Sequence, residues 1–450
     1  MKKQARISLT TTQIILLSFL LAILAGSCLL ALPVSAADGQ AVSYIDALFT
    51  ATTATCVTGL VTLTTATAWS GFGQAVILVL IQVGGLGVIT VMAWLMLLMH
   101  RKLGLRDNLL LQDAFNLGTL SGLATFVKKV VMGTFLVEGV GAALYMTVFV
   151  PRFGARGIWI SVFNAVSAFC NAGMDIIGDS SLYDYTTHPL ILGVTGALIV
   201  VGGIGYIVWW DILRVLRDRQ KRSWRHLTLH SKIALATTAI LLVGGGAAIL
   251  ALEYNNPLTL QNMTLFEKIQ AALFQSVTTR TAGFAALPQE NLTTGSFFVS
   301  MLLMFIGGSP VGTAGGIKTV TIAVLAVSAL ATITGHRQAT LFRRALSARA
   351  VQRAVAVTCM SFCILFLSTV LLAAATGASA PDVLYETVSA TATVGLTRGL
   401  TPLLNTGGKL ILIATMYFGR IGPISLAVAL RVRRPHTDNI RDPIEEISVG

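Results

Sequence analysis

The residues whose types and spacing could do chemistry lie in four short turns. They read Thr55-Cys56-Val57-Thr58-Gly59, Phe169-Cys170-Asn171-Ala172-Gly173, Thr279-Arg280-Thr281-Ala282-Gly283 and Thr391-Ala392-Thr393-Val394-Gly395. No His/Asp/Glu constellation accompanies them, so they do not point to a reaction centre. What they offer is a run of backbone carbonyls closed by a glycine. Carbonyl oxygens can replace the water around a monovalent cation without a counter-charge, so the ion binds and can also leave. Aiming successive carbonyls to one side needs backbone conformations that glycine reaches most readily. A lone turn of this kind reads as small residues letting helices pack closely. Four of them, spaced about 110 residues apart along the whole chain, read as one unit used four times.

Each turn must be held by something. The stretches ALFTATTATCVTGL from Ala47, SVFNAVSAFCNAGM from Ser161, ALFQSVTTRTAGF from Ala272 and VLYETVSATATVGL from Val383 are too short to span a bilayer. Each reads as a half-helix followed by its turn. Ser43-x-x-Asp46, Thr264-x-x-Glu267 and Ser379-x-x-Asp382 look like capping boxes, and the second unit lacks a clean cap. A half-helix of this kind points its partially negative carbonyl end toward mid-membrane. An outward apolar helix precedes each one, at about 11–32, 124–150, 231–252 and 351–376, and a returning one follows, at about 72–99, 189–213, 296–330 and 408–430. Non-helical backbone at that depth is tolerated only where protein buries it or it lines a watery cavity. The expected fold is therefore an all-α integral membrane protein of four repeats. It has eight transmembrane helices and four re-entrant half-helices around one pseudo-fourfold pore. The units run 1–100, 101–222, 223–336 and 337–430, with a polar tail at 431–450.

Composition agrees. The chain is 54% hydrophobic and 11% charged, with a mean hydropathy of +0.78. Charge this sparse cannot clothe a water-facing surface. The net charge of +13 would suggest nucleic acid in a soluble protein, but most Lys and Arg sit in one alternate set of connections. These include Lys2, Lys3 and Arg6, Arg101 to Arg106, Arg214 to Lys232, Arg337 to Arg353 and Arg431 to Arg441. The positive-inside rule makes that set cytoplasmic, with both termini inside. The opposite connections hold Arg152, Arg156, Lys268, Arg398 and Lys409 against Asp38, Asp46, Asp175, Asp179, Asp184, Glu253, Glu267, Glu290, Asp382 and Glu386. A negative outer face concentrates cations. The five cysteines form no C-x-x-C pair and read as small apolar residues. The apolar run from Ile14 to Leu32 is longer than the usual signal-peptide core, so it reads as the first helix.

The returning helices carry a second pattern. Gln82-Val83-Gly84-Gly85-Leu86-Gly87 is echoed by Val201-Gly202-Gly203-Ile204-Gly205 and by Tyr417-Phe418-Gly419-Arg420-Ile421-Gly422-Pro423. The third unit expands it to Gly307-Gly308-Ser309-Pro310-Val311-Gly312-Thr313-Ala314-Gly315-Gly316-Ile317-Lys318, too rich in glycine to stay helical from Gly307 to Gly316. A nucleotide-binding loop is excluded there, because GTAGGIKT inserts Ile317 before the lysine and lies inside an apolar run. Arg280, Lys318 and Arg420 are cations at membrane depth, where an ionisable group is a functional candidate by default. Arg280 is expected to brace the third turn, with Glu267 as a candidate partner. Glu138 is expected in a structural pairing.

These turns and glycine clusters resemble the membrane subunit of the Trk/Ktr/HKT potassium transporter superfamily, most closely its bacterial KtrB/KtrD type, over nearly the whole chain. Thr393-Val394-Gly395 keeps the TVG of the potassium-channel filter literally. The resemblance implies that the four turns are a selectivity filter. Its site residues would be Thr55 to Gly59, Cys170 to Gly173, Arg280 to Gly283 and Ala392 to Gly395, with K+ at the glycines. Glycine in all four units implies potassium preference; some plant relatives with serine in the first unit carry sodium. It further implies that Gly307–Gly316 is a mobile gate below the filter, and that Arg420 is an electrostatic barrier beside it. A homodimer is implied, with a cytosolic ring of RCK-domain subunits of the KtrA/KtrC type that bind adenine nucleotides. The basic loops and the tail would be their contacts. Membrane lipids surround it, nucleic acid is not a partner, no covalent cofactor is expected, and K+ is the permeant ion, with Na+ left open as an activator. Transport would run down an electrochemical gradient. The alternative is a sodium- or proton-coupled carrier with broken helices, which inverted repeats would favour. Here all units run the same way.

Overall fold

A computed structural model describes residues 11–99, 104, 109–112, 122–218, 223–336 and 338–422. The expected contacts of Lys2, Lys3, Arg6, Arg101, Lys102, Arg431 and the tail 431–450 lie outside the described residues, as does the last part of the fourth returning helix. The described residues are mostly helical, with almost no strand. The first unit has α1 (Thr11–Leu30), α2 (Tyr44–Cys56), α3 (Gly71–Leu86) and α4 (Val88–Leu98). The second has α5 (Leu123–Phe153), α6 (Arg156–Cys170), α7 (Pro189–Gly203) and α8 (Tyr206–Arg217). The third has α9 (Leu229–Glu253), α10 (Leu265–Thr278), α11 (Thr294–Phe305) and α12 (Thr319–Ile333). The fourth has α13 (Ala348–Thr376), α14 (Ala380–Ala392) and α15 (Thr406–Ile421). A two-residue β-hairpin, Thr340–Leu341 with Arg344–Ala345, precedes α13.

The outward helices α1, α5, α9 and α13 are each long and apolar enough to cross a membrane. They leave large side chains such as Leu21, Leu136, Ile240 and Phe366 exposed, as suits a lipid-facing surface. The returning helices are broken. α3 meets α4 at 98° and α7 meets α8 at 96°. The break falls at Gly87 (φ +86°) and Gly205 (φ +97°), and α15 ends at Gly422 (φ +88°), a region of φ that side chains rarely adopt. The expected continuous helices at 72–99 and 189–213 are therefore each two helices, because the glycine that closes the small-residue cluster takes a conformation no helix contains.

The short helices form the centre. From Phe49 through Cys56 every residue of α2 is buried, and so are Glu386 through Ala392 of α14. Each returning helix packs on the short helix of the next unit: α3 on α6, α7 on α10, α11 on α14, and α15 back on α2. The last pairing closes the four units into a ring. Lys409 at the start of α15 pairs with Asp46 of α2 at 2.5 Å and ties the fourth unit to the first. Capping differs from expectation in one unit. Thr264 and Glu267 make a full capping box, and Ser379 accepts from the Asp382 N–H, but Ser43 makes no side-chain cap bond. Asp46 is committed to Lys409 instead.

Candidate functional site

All four short helices end at a turn on the same axis. Each turn places a residue in the left-handed region two positions before its glycine: Val57 (φ +55°), Asn171 (φ +60°), Thr281 (φ +61°) and Thr393 (φ +52°). The glycine then follows, also at positive φ: Gly59 at +98°, Gly173 at +63°, Gly283 at +81° and Gly395 at +100°. Two such residues so close together turn the chain sharply away from the helix end. Hydroxyls hold the turns from behind. Thr53 Oγ1 accepts from Gly59 N–H at 2.9 Å, Ser389 Oγ accepts from Gly395 N–H at 3.0 Å, and Ser167 Oγ accepts from Met174 N–H at 3.2 Å. The third unit uses Thr278, whose hydroxyl donates to the Phe284 carbonyl at 2.7 Å. Sequence reasoning missed these hydroxyls. Their signal was a Ser or Thr six residues before the glycine in three units.

The glycines are required by close approach as well as by φ. A Cβ on Gly59 would meet the Ala172 carbonyl oxygen at 2.6 Å, one on Gly173 the Ala282 oxygen at 2.6 Å, one on Gly283 the Val394 oxygen at 2.5 Å and one on Gly395 the Thr58 oxygen at 2.3 Å. Each contact is with the residue just before the next unit's glycine, and the fourth returns to the first. Four carbonyls and four glycines thus form one closed ring. Around it, Thr55, Thr58, Thr391 and Thr393 each bury a hydroxyl without a partner among the described residues.

Behind the ring the returning helices supply further glycines. A Cβ on Gly84 would lie 2.0 Å from the Thr55 carbonyl, one on Gly202 1.9 Å from that of Phe169 and one on Gly419 2.3 Å from that of Thr391. The third unit breaks the pattern. A Cβ on Gly307 would run into the Gly315 carbonyl of its own loop, where one on each of the others would run into a turn. The segment from Gly307 to Gly316 is non-helical and folds under the ring between α11 and α12. Ser309 N–H donates to the Gly203 carbonyl at 2.8 Å, Tyr206 N–H to the Val311 carbonyl at 2.9 Å and Thr313 N–H to the Gly202 carbonyl at 3.2 Å. The segment is therefore docked on the break between α7 and α8, whose carbonyls Gly205 has freed from the helix.

The three deep cations find backbone partners, and none pairs with a carboxylate among the described residues. Arg420 donates from Nη1 to the Thr313 carbonyl at 2.5 Å and from Nη2 to the Gly84 carbonyl at 2.6 Å. Lys318 Nζ donates to the Ala314 carbonyl at 2.6 Å. Both line a cavity of about 380 Å³ beneath the ring, together with Val311, Gly312, Ala314 and Tyr206. The expected Arg280–Glu267 pairing is corrected. Glu267 caps its own helix through Thr264 at an exposed position, whereas Arg280 Nη2 points inward to the Gly307 carbonyl at 3.3 Å and the Thr238 hydroxyl at 3.5 Å. The length of α10 separates the two. Glu138 is buried between Gln82, at 3.4 Å from its Nε2, and Cys170. The cysteines Cys28, Cys56, Cys170, Cys359 and Cys363 are free thiols.

Comparison with known proteins agrees with this architecture. A family model described as cation transport protein TrkH matches residues 2–441. The chain is 39% identical to the potassium/sodium uptake protein NtpJ of Enterococcus hirae, covering 100% of this chain and 99% of that protein. It is 37% identical to the Ktr system potassium uptake protein B of Bacillus subtilis, covering 98% and 97%. Among solved structures, the potassium transporter TrkH of Vibrio parahaemolyticus superposes with a TM-score of 0.75 at 17% identity, over 96% of this chain and 87% of that one.

Proposed function

The chain belongs to the TrkH family of cation transport proteins, and from that premise we propose that it is the membrane subunit of a potassium-uptake system and is not an enzyme. In this reading K+ passes inward, partly dehydrated, through the ring of carbonyls at Gly59, Gly173, Gly283 and Gly395. The observation that carries it is the cyclic order of contacts, in which each glycine makes room for the next unit's carbonyl. Uncharged oxygens at equal depth on four sides are what a bare monovalent cation needs. Cys56, Ala172, Ala282 and Ala392 are buried small residues that keep the turns compact.

Below the ring, the Gly307–Gly316 segment is the gate. Arg420 and Lys318 face the same cavity as the segment and repel a cation arriving there. Arg280 serves the gate from the other side, by holding the carbonyl of Gly307 at its root. The outer acids draw cations to the mouth. The protein sits in the cell membrane with both termini inside, forms a homodimer and works with a cytosolic nucleotide-binding ring that meets its basic loops. Lys129, Arg214 and Arg217 line one groove suited to that contact. A sodium- or proton-coupled carrier is the second reading, and it has the broken helices in its favour. The same sense of all four units around one ring favours the pore.

The test is growth rescue of a potassium-uptake-deficient strain on low potassium, with rubidium and sodium influx measured in the same cells. Rescue with rubidium influx well above sodium influx is expected. Failure to rescue, with the subunit and its partner ring both present in normal amount, would overturn the assignment.

A further inference from the structure

Thr313 is fully buried in the loop and bonds to two other units, the second and the fourth. Its N–H donates to the Gly202 carbonyl, and its own carbonyl accepts from Arg420. Its hydroxyl lies 2.8 Å from Asn171 Oδ1 and 3.1 Å from the Phe169 carbonyl, both in the second turn. Two residues on, Gly315 N–H donates to Thr281 Oγ1 of the third turn at 3.1 Å. Asn171 and Thr281 hold the same place in their turns, two residues before the glycine. In the other turns that place falls to Val57, which has no side-chain oxygen, and to Thr393, whose hydroxyl has no partner among the described residues. The loop thus engages two of the three side-chain oxygens at this level. All are neutral oxygens, of the kind a monovalent alkali cation takes as ligands. What the loop presents to them is the proton of a hydroxyl and the proton of an amide, each a small positive charge.

We propose that the loop and a permeating monovalent cation compete for Asn171 Oδ1, Thr281 Oγ1 and the Phe169 carbonyl, so that Thr313 and Gly315 stand in for the ion when the loop is closed. The inference rests on reading the turns as the ion path, and adds that closure and ion occupancy at the inner end exclude one another. Withdrawing the loop takes two donor protons away from this group of buried acceptors, which is costly unless something replaces them. A cation does so, and K+ therefore favours the withdrawn loop. Coupling is reciprocal: whatever loosens the loop tightens K+ binding by the same factor.

The test uses the full-length protein in lipid nanodiscs. Potassium chloride is titrated by calorimetry against the parent, Thr313→Val and Thr313→Ser. Thr313→Val keeps the shape and removes the hydroxyl proton, and it is expected to bind K+ about three- to tenfold tighter, the size of losing about one net hydrogen bond. Thr313→Ser restores the donor and should match the parent. Unchanged or weaker affinity in Thr313→Val would overturn the competition, and a lowered melting temperature alongside it would make Thr313 a brace only. A second measurement does not depend on that variant folding. Val311 is half-buried on the inner cavity. In a background where Cys28, Cys359 and Cys363 are changed to Ser, Val311→Cys should react with a water-soluble maleimide severalfold faster in potassium chloride than in choline chloride. Equal rates would sink the proposal. The gate reading is tested separately by deleting the loop: if flux rises while the Val311→Cys rate ignores K+, the competition alone fails.

Discussion

Replacing Gly395 by serine tests the ring most directly. Its φ of +100° is outside the range that L side chains favour, and its Cβ would stand 2.3 Å from the Thr58 carbonyl oxygen. Ordinary contact begins at 3.4 Å, so the carbonyl must retreat by about 1 Å or the turn must rotate. Either way, an oxygen of the first unit leaves its place because of a change in the fourth. A residue held in such a conformation costs about 1–3 kcal/mol. If that cost falls on the K+-bound arrangement, at about 1.4 kcal/mol per factor of ten, the preference for K+ over Na+ drops about five- to 140-fold. Gly59→Ser should act likewise through the Ala172 carbonyl, at 2.6 Å. The assay is rubidium against sodium influx in cells lacking other potassium uptake, with membrane amount followed by immunoblot. Both variants retaining the parent's rubidium-to-sodium ratio, at normal membrane amount, would refute the assignment of these turns.

Deleting Gly308–Gly315 should raise potassium flux severalfold; flux that stays level or falls in protein of normal abundance would remove the gate from this segment. Arg420→Gln takes a positive charge from the inner cavity and frees the Thr313 and Gly84 carbonyls, so uptake should rise, and an unchanged rate would leave Arg420 a purely structural residue. In the connection that follows the second turn, burial pushes the Asp175 carboxyl up to about 6. A carboxyl with a raised pKa gains its proton, and loses its charge, as pH falls through that value. Uptake at limiting potassium should therefore decline as the external pH is lowered from about 7.5 to 5.5, and Asp175→Asn should flatten the profile. A parent profile that is already flat would rule out a role for this charge.

Much of this molecule can be read from local pattern. A left-handed turn and its closing glycine are encoded within a few residues, because backbone sterics decide which residues can adopt positive φ. That is why Gly59, Gly173, Gly283 and Gly395 stand out at a regular spacing, and why the Gly307–Gly316 stretch cannot be helix. Sparse charge and apolar runs place the chain in a bilayer on equally local grounds. Partners are another matter. The sequence offered Glu267 as a candidate partner for Arg280, yet the guanidinium turns inward to Gly307, at the opposite end of its helix. That Gly395 faces Thr58, or that Thr313 meets Asn171 and Arg420 together, depends on how segments more than a hundred residues apart pack. Such contacts belong to no window of the chain. They exist only once α15 has closed against α2 and brought the four carbonyls to one axis.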